Sequence, residues 1–229
     1  MAEGSLKLNR KQRIFIVEDH PIFRDGISQL INKEDDMIVV GGCENSSECL
    51  KYIKESPADL IIVDITLKDS CGIELTKELK KTYPNIPVLI LSMHEELIFA
   101  DRVLKAGAKG YMTKREATSK VIEAIRRVLQ GKIYICDTMI DHFLERSITG
   151  GQNFTSSPVE RLSEREFEVF NLIGKGMTNR SIAEVLTVST NTISTYRERI
   201  KEKLNLQNNA ELNRYAMQWI QKSPYFYYL

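Results

Sequence analysis

Five short apolar runs, at residues 14–17, 37–40, 60–63, 88–91 and 109–112, alternate with helix-length amphipathic segments through about the first 130 positions. Each run is too short and too rich in apolar or β-branched residues to form a helix of its own, so each reads as a strand. The intervening segments, 21–31, 46–55, 72–82, 95–106 and 117–129, read as helices, with Gly107 and Gly131 as stops. Strict alternation of this kind predicts a five-stranded, mostly parallel α/β sheet covered by helices.

Beyond residue 129 the strand-like runs disappear. A short helix is expected around 138–145, followed by Thr149-Gly150-Gly151-Gln152-Asn153 and Thr155-Ser156-Ser157-Pro158, whose composition cannot pack and reads as a linker. After it every segment is helical: 163–173, 178–186, 189–204 and 209–219. Ser163 with Glu166 forms a capping box, and Thr178 and Ser189 are N-caps for the two helices that follow. The expected organisation is a tail over 1–12, an α/β domain over 13–131, a linker with a short helix over 132–158 and an all-α four-helix domain over 159–229.

With 42% hydrophobic and 28% charged residues, the chain can supply a core to each domain. Its net charge of +1 gives no global sign of nucleic acid. The four cysteines, Cys43, Cys49, Cys71 and Cys136, lack paired C-x-x-C spacing and argue against a zinc site or a disulfide framework. Residues 1–12 are polar, and no apolar run approaches the roughly 18 residues of a membrane span, so a cytoplasmic location without membrane contact is expected.

Ligands of open parallel sheets bind at the carboxyl ends of the strands. There the first run delivers Glu18 and Asp19, the third Asp64, the fourth Ser92 and the fifth Lys114. Three carboxylates suit Mg²⁺, and an aspartate beside such a cation can accept a phosphoryl group whose oxygens Ser92 and Lys114 would contact. Asp64 is the natural nucleophile, because it follows the fully apolar run Leu60-Ile61-Ile62-Val63 of a central strand. Taken singly, each residue is more simply a turn former or a solvated charge. Their joint placement at four strand ends carries the argument.

The segments Val17-Glu18-Asp19-His20-Pro21, Val63-Asp64-Ile65-Thr66-Leu67, Leu91-Ser92 and Gly110-Tyr111-Met112-Thr113-Lys114 resemble the receiver-domain motifs of bacterial two-component response regulators, over roughly 13–130. The resemblance implies a flavodoxin-like fold, Asp64 as phosphoacceptor and a sensor histidine kinase as donor. It also implies Mg²⁺ held by Glu18, Asp19, Asp64 and the Thr66 carbonyl, a Ser92–Tyr111 switch pair, and Lys114 on the phosphoryl group. Thr66 and His94 resemble positions that tune hydrolysis of the acyl phosphate. Lys68 replaces the family's usual proline four residues after the phosphoacceptor, and Arg115 is a less usual neighbour for Lys114.

In the C-terminal block, Ile193, Ile200 and Leu204 fall on one helical stripe, and Asn191, Ser194, Thr195, Glu198 and, to one flank, Arg199 fall on the other side. These donors and acceptors suit base edges and phosphates, although ten Lys and Arg against eight Glu make this domain only about +2. The block resembles the LuxR-type helix-turn-helix domain of the NarL/FixJ class over roughly 159–219. That implies a recognition helix over 189–204 with Ser194, Thr195 and Glu198 facing bases, and with Thr178, Asn179, Arg180, Tyr196 and Arg197 on phosphates. Ser194 stands where the class often has lysine. Leu212, Tyr215, Ala216 and Trp219 on the last helix either pack internally or form the dimer interface that a two-fold DNA site calls for.

The combined expectation is a non-enzymatic regulator, switched by phosphorylation of Asp64 and binding double-stranded DNA as a homodimer, with RNA polymerase a further candidate partner. An Mg²⁺-dependent phosphatase is the competing reading, but it needs a second carboxylate where Thr66 stands. A phosphate-independent dimerisation platform is the third.

Overall fold

The computed structural model describes residues 10–67, 70–93, 97–135, 140 and 158–222. Its first part alternates β1 (Gln12–Val17), α1 (Pro21–Asn32), β2 (Met37–Cys43), α2 (Ser46–Glu55), β3 (Leu60–Asp64), α3 (Gly72–Thr82), β4 (Val88–Ser92), α4 (Leu97–Lys105), β5 (Gly110–Thr113) and α5 (Lys114–Leu129). The strands form one parallel sheet in the order β2-β1-β3-β4-β5. The chain therefore runs outward from β1 to β2 and then crosses to the other side of β1. This reversal opens a crevice at the carboxyl ends of β1 and β3, where Val17 pairs with Val63 and so brings Glu18 level with Asp64.

Alternate strand residues serve opposite faces. Ile14, Ile16, Leu60 and Ile62 pack with Ile27 and Ile31 of α1 and with Val121 and Ile125 of α5. Phe15, Val17, Ile61 and Val63 join Cys49 and Ile53 of α2, Leu79 of α3 and Phe99 of α4.

Two boundaries differ from the sequence reading for local reasons. Strand β2 continues past its apolar run because Gly41 and Gly42 still pair with β1, and a Cβ at Gly41 would lie 2.9 Å from the Phe15 ring. Helix α5 starts at Lys114 because Thr113 and Glu116 form a reciprocal capping box. Of the stretch expected as a linker with a short helix, residues 136–139 and 141–157 lie outside the described residues, as do Lys68 and His94.

A 3-10 turn, Pro158–Arg161, leads to α6 (Glu164–Gly174), α7 (Asn179–Val185), α8 (Thr190–Leu204) and α9 (Asn209–Lys222). Gly174 permits close contact of α6 with α9, since a Cβ there would meet Ile220 at 2.4 Å and the Ala216 carbonyl at 2.7 Å. Helix α6 is buried on every side, because it also packs on the sheet domain. Phe167 meets Phe99 edge-on at 5.3 Å, and the Arg102 guanidinium lies 3.9 Å above the Phe167 ring. The cores of the two parts are continuous here. Enclosing an aromatic side chain of this size stabilises the contact by roughly 1.5–3 kcal/mol.

Candidate functional site

At the crevice, Glu18 is 1% exposed, Asp64 2%, Ser92 0% and Lys114 7%. Lys114 can reach them because the Thr113 cap turns β5 directly into α5, which places Lys114 at the first helical position. Its Nζ donates to Asp64 Oδ2 at 2.7 Å and to Glu18 Oε1 at 2.9 Å. It also lies 4.9 Å from the centre of the Phe23 ring. Four of the strand-end residues named from sequence, Glu18, Asp19, Asp64 and Lys114, thus surround one small volume.

The charge balance there is negative. Burial, reinforced by the charge of Glu18, pushes the Asp64 carboxyl up to about 8 despite the opposing pull of Lys114. Burial works to lower the Lys114 ammonium, but the carboxylates of Asp64 and Glu18 outweigh it and hold the group above its ordinary value. Glu18 Oε2 and Asp19 Oδ1 are buried without an aligned hydrogen-bond donor, although Lys114 Nζ and His20 Nδ1 each approach to 2.8 Å. Under-satisfied anionic oxygens are what a hard cation would complete.

Candidate ligand atoms of Glu18, Asp19, His20 and Asp64 all lie within 4.8 Å of one another. His20 is the member that the sequence reading did not assign. Its imidazole meets Glu18 Oε1 at 3.0 Å and Asp19 Oδ1 at 2.8 Å, and its place directly after the acidic pair was the available signal.

The start of α3 lies tight against the end of β3. Gly72 donates its amide to the Ile65 carbonyl at 2.7 Å, and a Cβ on Gly72 would fall 1.9 Å from the Asp64 carbonyl oxygen, so no other residue fits. Thr66 turns its amide toward Asp64 Oδ1 at 3.4 Å. Tyr111 is fully enclosed, in the core that also holds Phe99, Ala100 and Val103 of α4.

In the helical part, Thr178 caps α7 and Ser189 caps α8 through their hydroxyls. On α8, Ile193, Ile200 and Leu204 are buried, while Asn191, Ser194, Thr195, Glu198 and Arg199 are exposed. Asn179 and Tyr196 are half-buried, and exposed Arg180 pairs with Glu184 at 3.2 Å.

One expectation needs correction. Arg197 is not a surface cation: it is buried and donates to Asn209 Oδ1 at 3.4 Å and Asn213 Oδ1 at 2.7 Å, tying α8 to α9. Of the two alternatives left open for Leu212 and Ala216, both side chains take the internal one and are 0% exposed within the domain. Tyr215 packs on Phe170 with ring centres 6.0 Å apart, and Trp219 is half-buried.

Residues 14–126 match the response regulator receiver domain family, and residues 160–216 match the bacterial regulatory proteins of the luxR family. The chain is 34% identical to the oxygen regulatory protein NreC of Staphylococcus epidermidis, over 90% of this chain and 96% of that one. It is 33% identical to the response regulator GacA of Pseudomonas aeruginosa, over 87% of this chain and 92% of that one. This chain is a response regulator of the NarL/FixJ class.

Among solved structures, RcsB from Salmonella enterica serovar Typhimurium, bound to a promoter in the presence of the phosphomimetic BeF₃⁻, shares 26% identity at a TM-score of 0.58. That match covers 91% of this response regulator and all of the other chain. The receiver fold of the regulator is therefore residues 14–126 of the family match, with the LuxR-type helix-turn-helix after it. Among the described residues no helix is long and apolar enough to cross a membrane.

Proposed function

We propose that Asp64 is the phosphoacceptor of this response regulator, that a sensor histidine kinase is the donor, and that the modification governs DNA binding by a homodimer. The observation that carries this reading is the convergence of Glu18, Asp19, Asp64 and Lys114 on one buried volume. A carboxylate oxygen of Asp64 would bond to phosphorus as the donor's P–N bond breaks, and the donor imidazole would leave with a proton. Lys114, held between two carboxylates, is placed to turn from Asp64 to the new phosphoryl oxygens, with Ser92 beside it. Tyr111 would act with Ser92 as the switch pair.

Glu18, Asp19, Asp64 and the Thr66 carbonyl would hold Mg²⁺, with His20 at the margin. The ion would offset negative charge on the transferred oxygens. No second acid-base carboxylate stands at Thr66, which supports a stoichiometric switch over a phosphatase.

For DNA, the exposed set Asn191, Ser194, Thr195, Glu198 and Arg199 would read base edges and neighbouring phosphates, with Thr178, Asn179, Arg180 and Tyr196 on the backbone. Arg197 would hold the reading helix in place from behind. With Leu212 and Ala216 internal, exposed Asn213 and Met217, together with the half-buried Tyr215 and Trp219, are what α9 offers a second copy. We place the receiver at 13–131 and the DNA-binding domain from 159 onward, acting in the cytoplasm, where RNA polymerase is the further partner.

The test is a mobility-shift series on duplexes enriched from a random pool by the wild-type protein. Acetyl phosphate with Mg²⁺ is expected to raise wild-type affinity and leave Asp64→Ala unchanged. An equal response from both proteins would contradict the phosphoaspartate mechanism.

A further inference from the structure

Two thiols meet at the end of β2, beside the strand that delivers Glu18. Cys43 closes that strand and is 7% exposed, and Cys49, in the first turn of α2, is 0% exposed. Both hang on one carbonyl: Cys43 Sγ donates to the Asn45 oxygen at 3.3 Å, and the Cys49 amide donates to the same oxygen at 3.3 Å. The side chains also bond to each other. A hydrogen bond from the Cys49 thiol, working against burial, holds the Cys43 thiol below its ordinary value, and that bond together with burial pushes Cys49 up. Both are free thiols. A single buried cysteine is usually inert, but here a second sulfur stands ready to attack the first once it is oxidised.

The pair is fastened to the acidic crevice through the backbone. The Cys43 carbonyl accepts from the Glu18 amide at 3.0 Å. On the other side of Glu18, its carbonyl accepts from Arg24 Nη1 at 2.6 Å, while Arg24 Nη2 lies 3.7 Å from Glu44 Oε1. Residues 43 and 44 therefore grip Glu18 from both ends. A disulfide needs its sulfurs about 2.05 Å apart, closer than any hydrogen bond between thiols, so closing one draws Cys43 toward α2 and pulls on that grip.

We propose that Cys43 and Cys49 form a reversible redox pair, closed to an intramolecular disulfide by a small peroxide, and that the closed form weakens phosphoryl acceptance at the neighbouring carboxylates. The pair stands apart from the phosphoacceptor reading, and only its effect on Asp64 rests on that reading. Cys43, the more exposed sulfur, attacks one peroxide oxygen. The O–O bond breaks, leaving a sulfenic acid and a hydroxide that takes the thiol proton to become water. The Cys49 sulfur then attacks the Cys43 sulfur, the S–O bond breaks, and the departing hydroxide takes the Cys49 proton as a second water. Two thiols are oxidised to one disulfide and one peroxide is reduced to two waters. A bridge across so short a loop gains little from constraining the unfolded chain, which leaves it open to reduction by other thiols, as a reversible control requires.

Residues 34–51 form one tryptic peptide that holds Cys43 and Cys49 and neither Cys71 nor Cys136. The full chain is exposed to hydrogen peroxide, alkylated with iodoacetamide under denaturing conditions and digested. The peptide should lose two hydrogens and take no alkyl group, and dithiothreitol, which does not reverse methionine oxidation, should restore both alkylation sites. Reduced and oxidised wild type and Cys49→Ala are also titrated with acetyl phosphate and Mg²⁺, with modification read by intact mass. Oxidised wild type should need roughly tenfold more donor for half modification, a shift that dithiothreitol removes and Cys49→Ala lacks.

A peptide that keeps both thiols, or gains oxygen on cysteine without bridging, overturns the redox pair. A bridged peptide with an unchanged titration overturns its effect on Asp64 alone. Absence of any mass gain from the donor, in every protein, overturns the phosphoacceptor reading and that effect with it, while the peptide still decides the pair. Should Cys49→Ala fail to fold, the wild-type peptide and the dithiothreitol reversal decide both points.

Discussion

At the sheet edge Glu18, Asp64 and Lys114 are withdrawn from water and bound to one another, whereas on α8 Asn191, Ser194, Thr195 and Glu198 stand in solvent. The hydroxyls of Ser194 and Thr195 bond only locally, each to the carbonyl four residues back, at 3.1 Å. Chemistry on a phosphoryl group needs charges held rigidly in a low dielectric, so the receiver site sits under strain within the fold. Reading DNA needs side chains that exchange water for a base edge, so the face proposed for that role costs the fold almost nothing. Substitutions in the first region should therefore move stability and function together, and those in the second should move function alone.

The sharpest contrast is between two small changes. Gly72→Ala would drive a Cβ to 1.9 Å from the Asp64 carbonyl oxygen, backbone that cannot step aside. A loss above about 4 kcal/mol, or failure to fold, is expected by urea denaturation. Ser194→Ala should stay within about 0.5 kcal/mol of wild type while changing DNA affinity.

Next comes Lys114→Met, which leaves Glu18 and Asp64 facing each other without their cation and should cost roughly 3–5 kcal/mol.

Asp64→Asn has the opposite sign. The folded carboxyl is raised from the ordinary value of 3.8 to about 8, so the folded state binds a proton more tightly than the unfolded chain does. Its contribution to stability is full below about pH 4 and is lost as pH rises toward 8. In metal-free buffer at pH 8, Asp64→Asn should be more stable than wild type by on the order of 1–3 kcal/mol, with the difference shrinking at pH 5. A variant less stable than wild type at both values would break the contrast from the receiver side.

The smallest effect on the fold separates two arginines on one helix. Arg197→Ala should cost about 1–3 kcal/mol by removing the bonds to Asn209 and Asn213. Arg199→Ala should leave stability within about 0.5 kcal/mol and reduce the salt slope of DNA binding by about one.

These same residues show what could be read in advance. The parallel sheet and the site at its edge were legible because both follow from position along the chain: an apolar run fixes a strand, and the next polar residue must emerge at its end. The exposed face of α8 was legible from helical spacing, but the expectation that it reads DNA came only through resemblance, since any solvated helix face carries similar side chains. Arg197 was readable but missed, because it completes the stripe of Ile193, Ile200 and Leu204 at helical spacing. Leu212 and Ala216 were ambiguous, as an apolar pair four residues apart serves a core or an interface equally well. The hydrogen bond from the Thr66 hydroxyl to Glu168 could not be read at all, because its partners are 102 residues apart and the charged residues of α6, which is buried on every side, look in sequence like an ordinary solvated face.

The central claim is that Asp64 is the carboxylate that carries the phosphoryl group, and borohydride trapping after acetyl phosphate and Mg²⁺ treatment tests it most directly. Reduction of an aspartyl phosphate converts that residue to homoserine, which peptide mass spectrometry should locate at position 64 and nowhere in Asp64→Ala. Homoserine at Asp19, or at no position in a protein that nonetheless gains DNA affinity with the donor, would contradict the account.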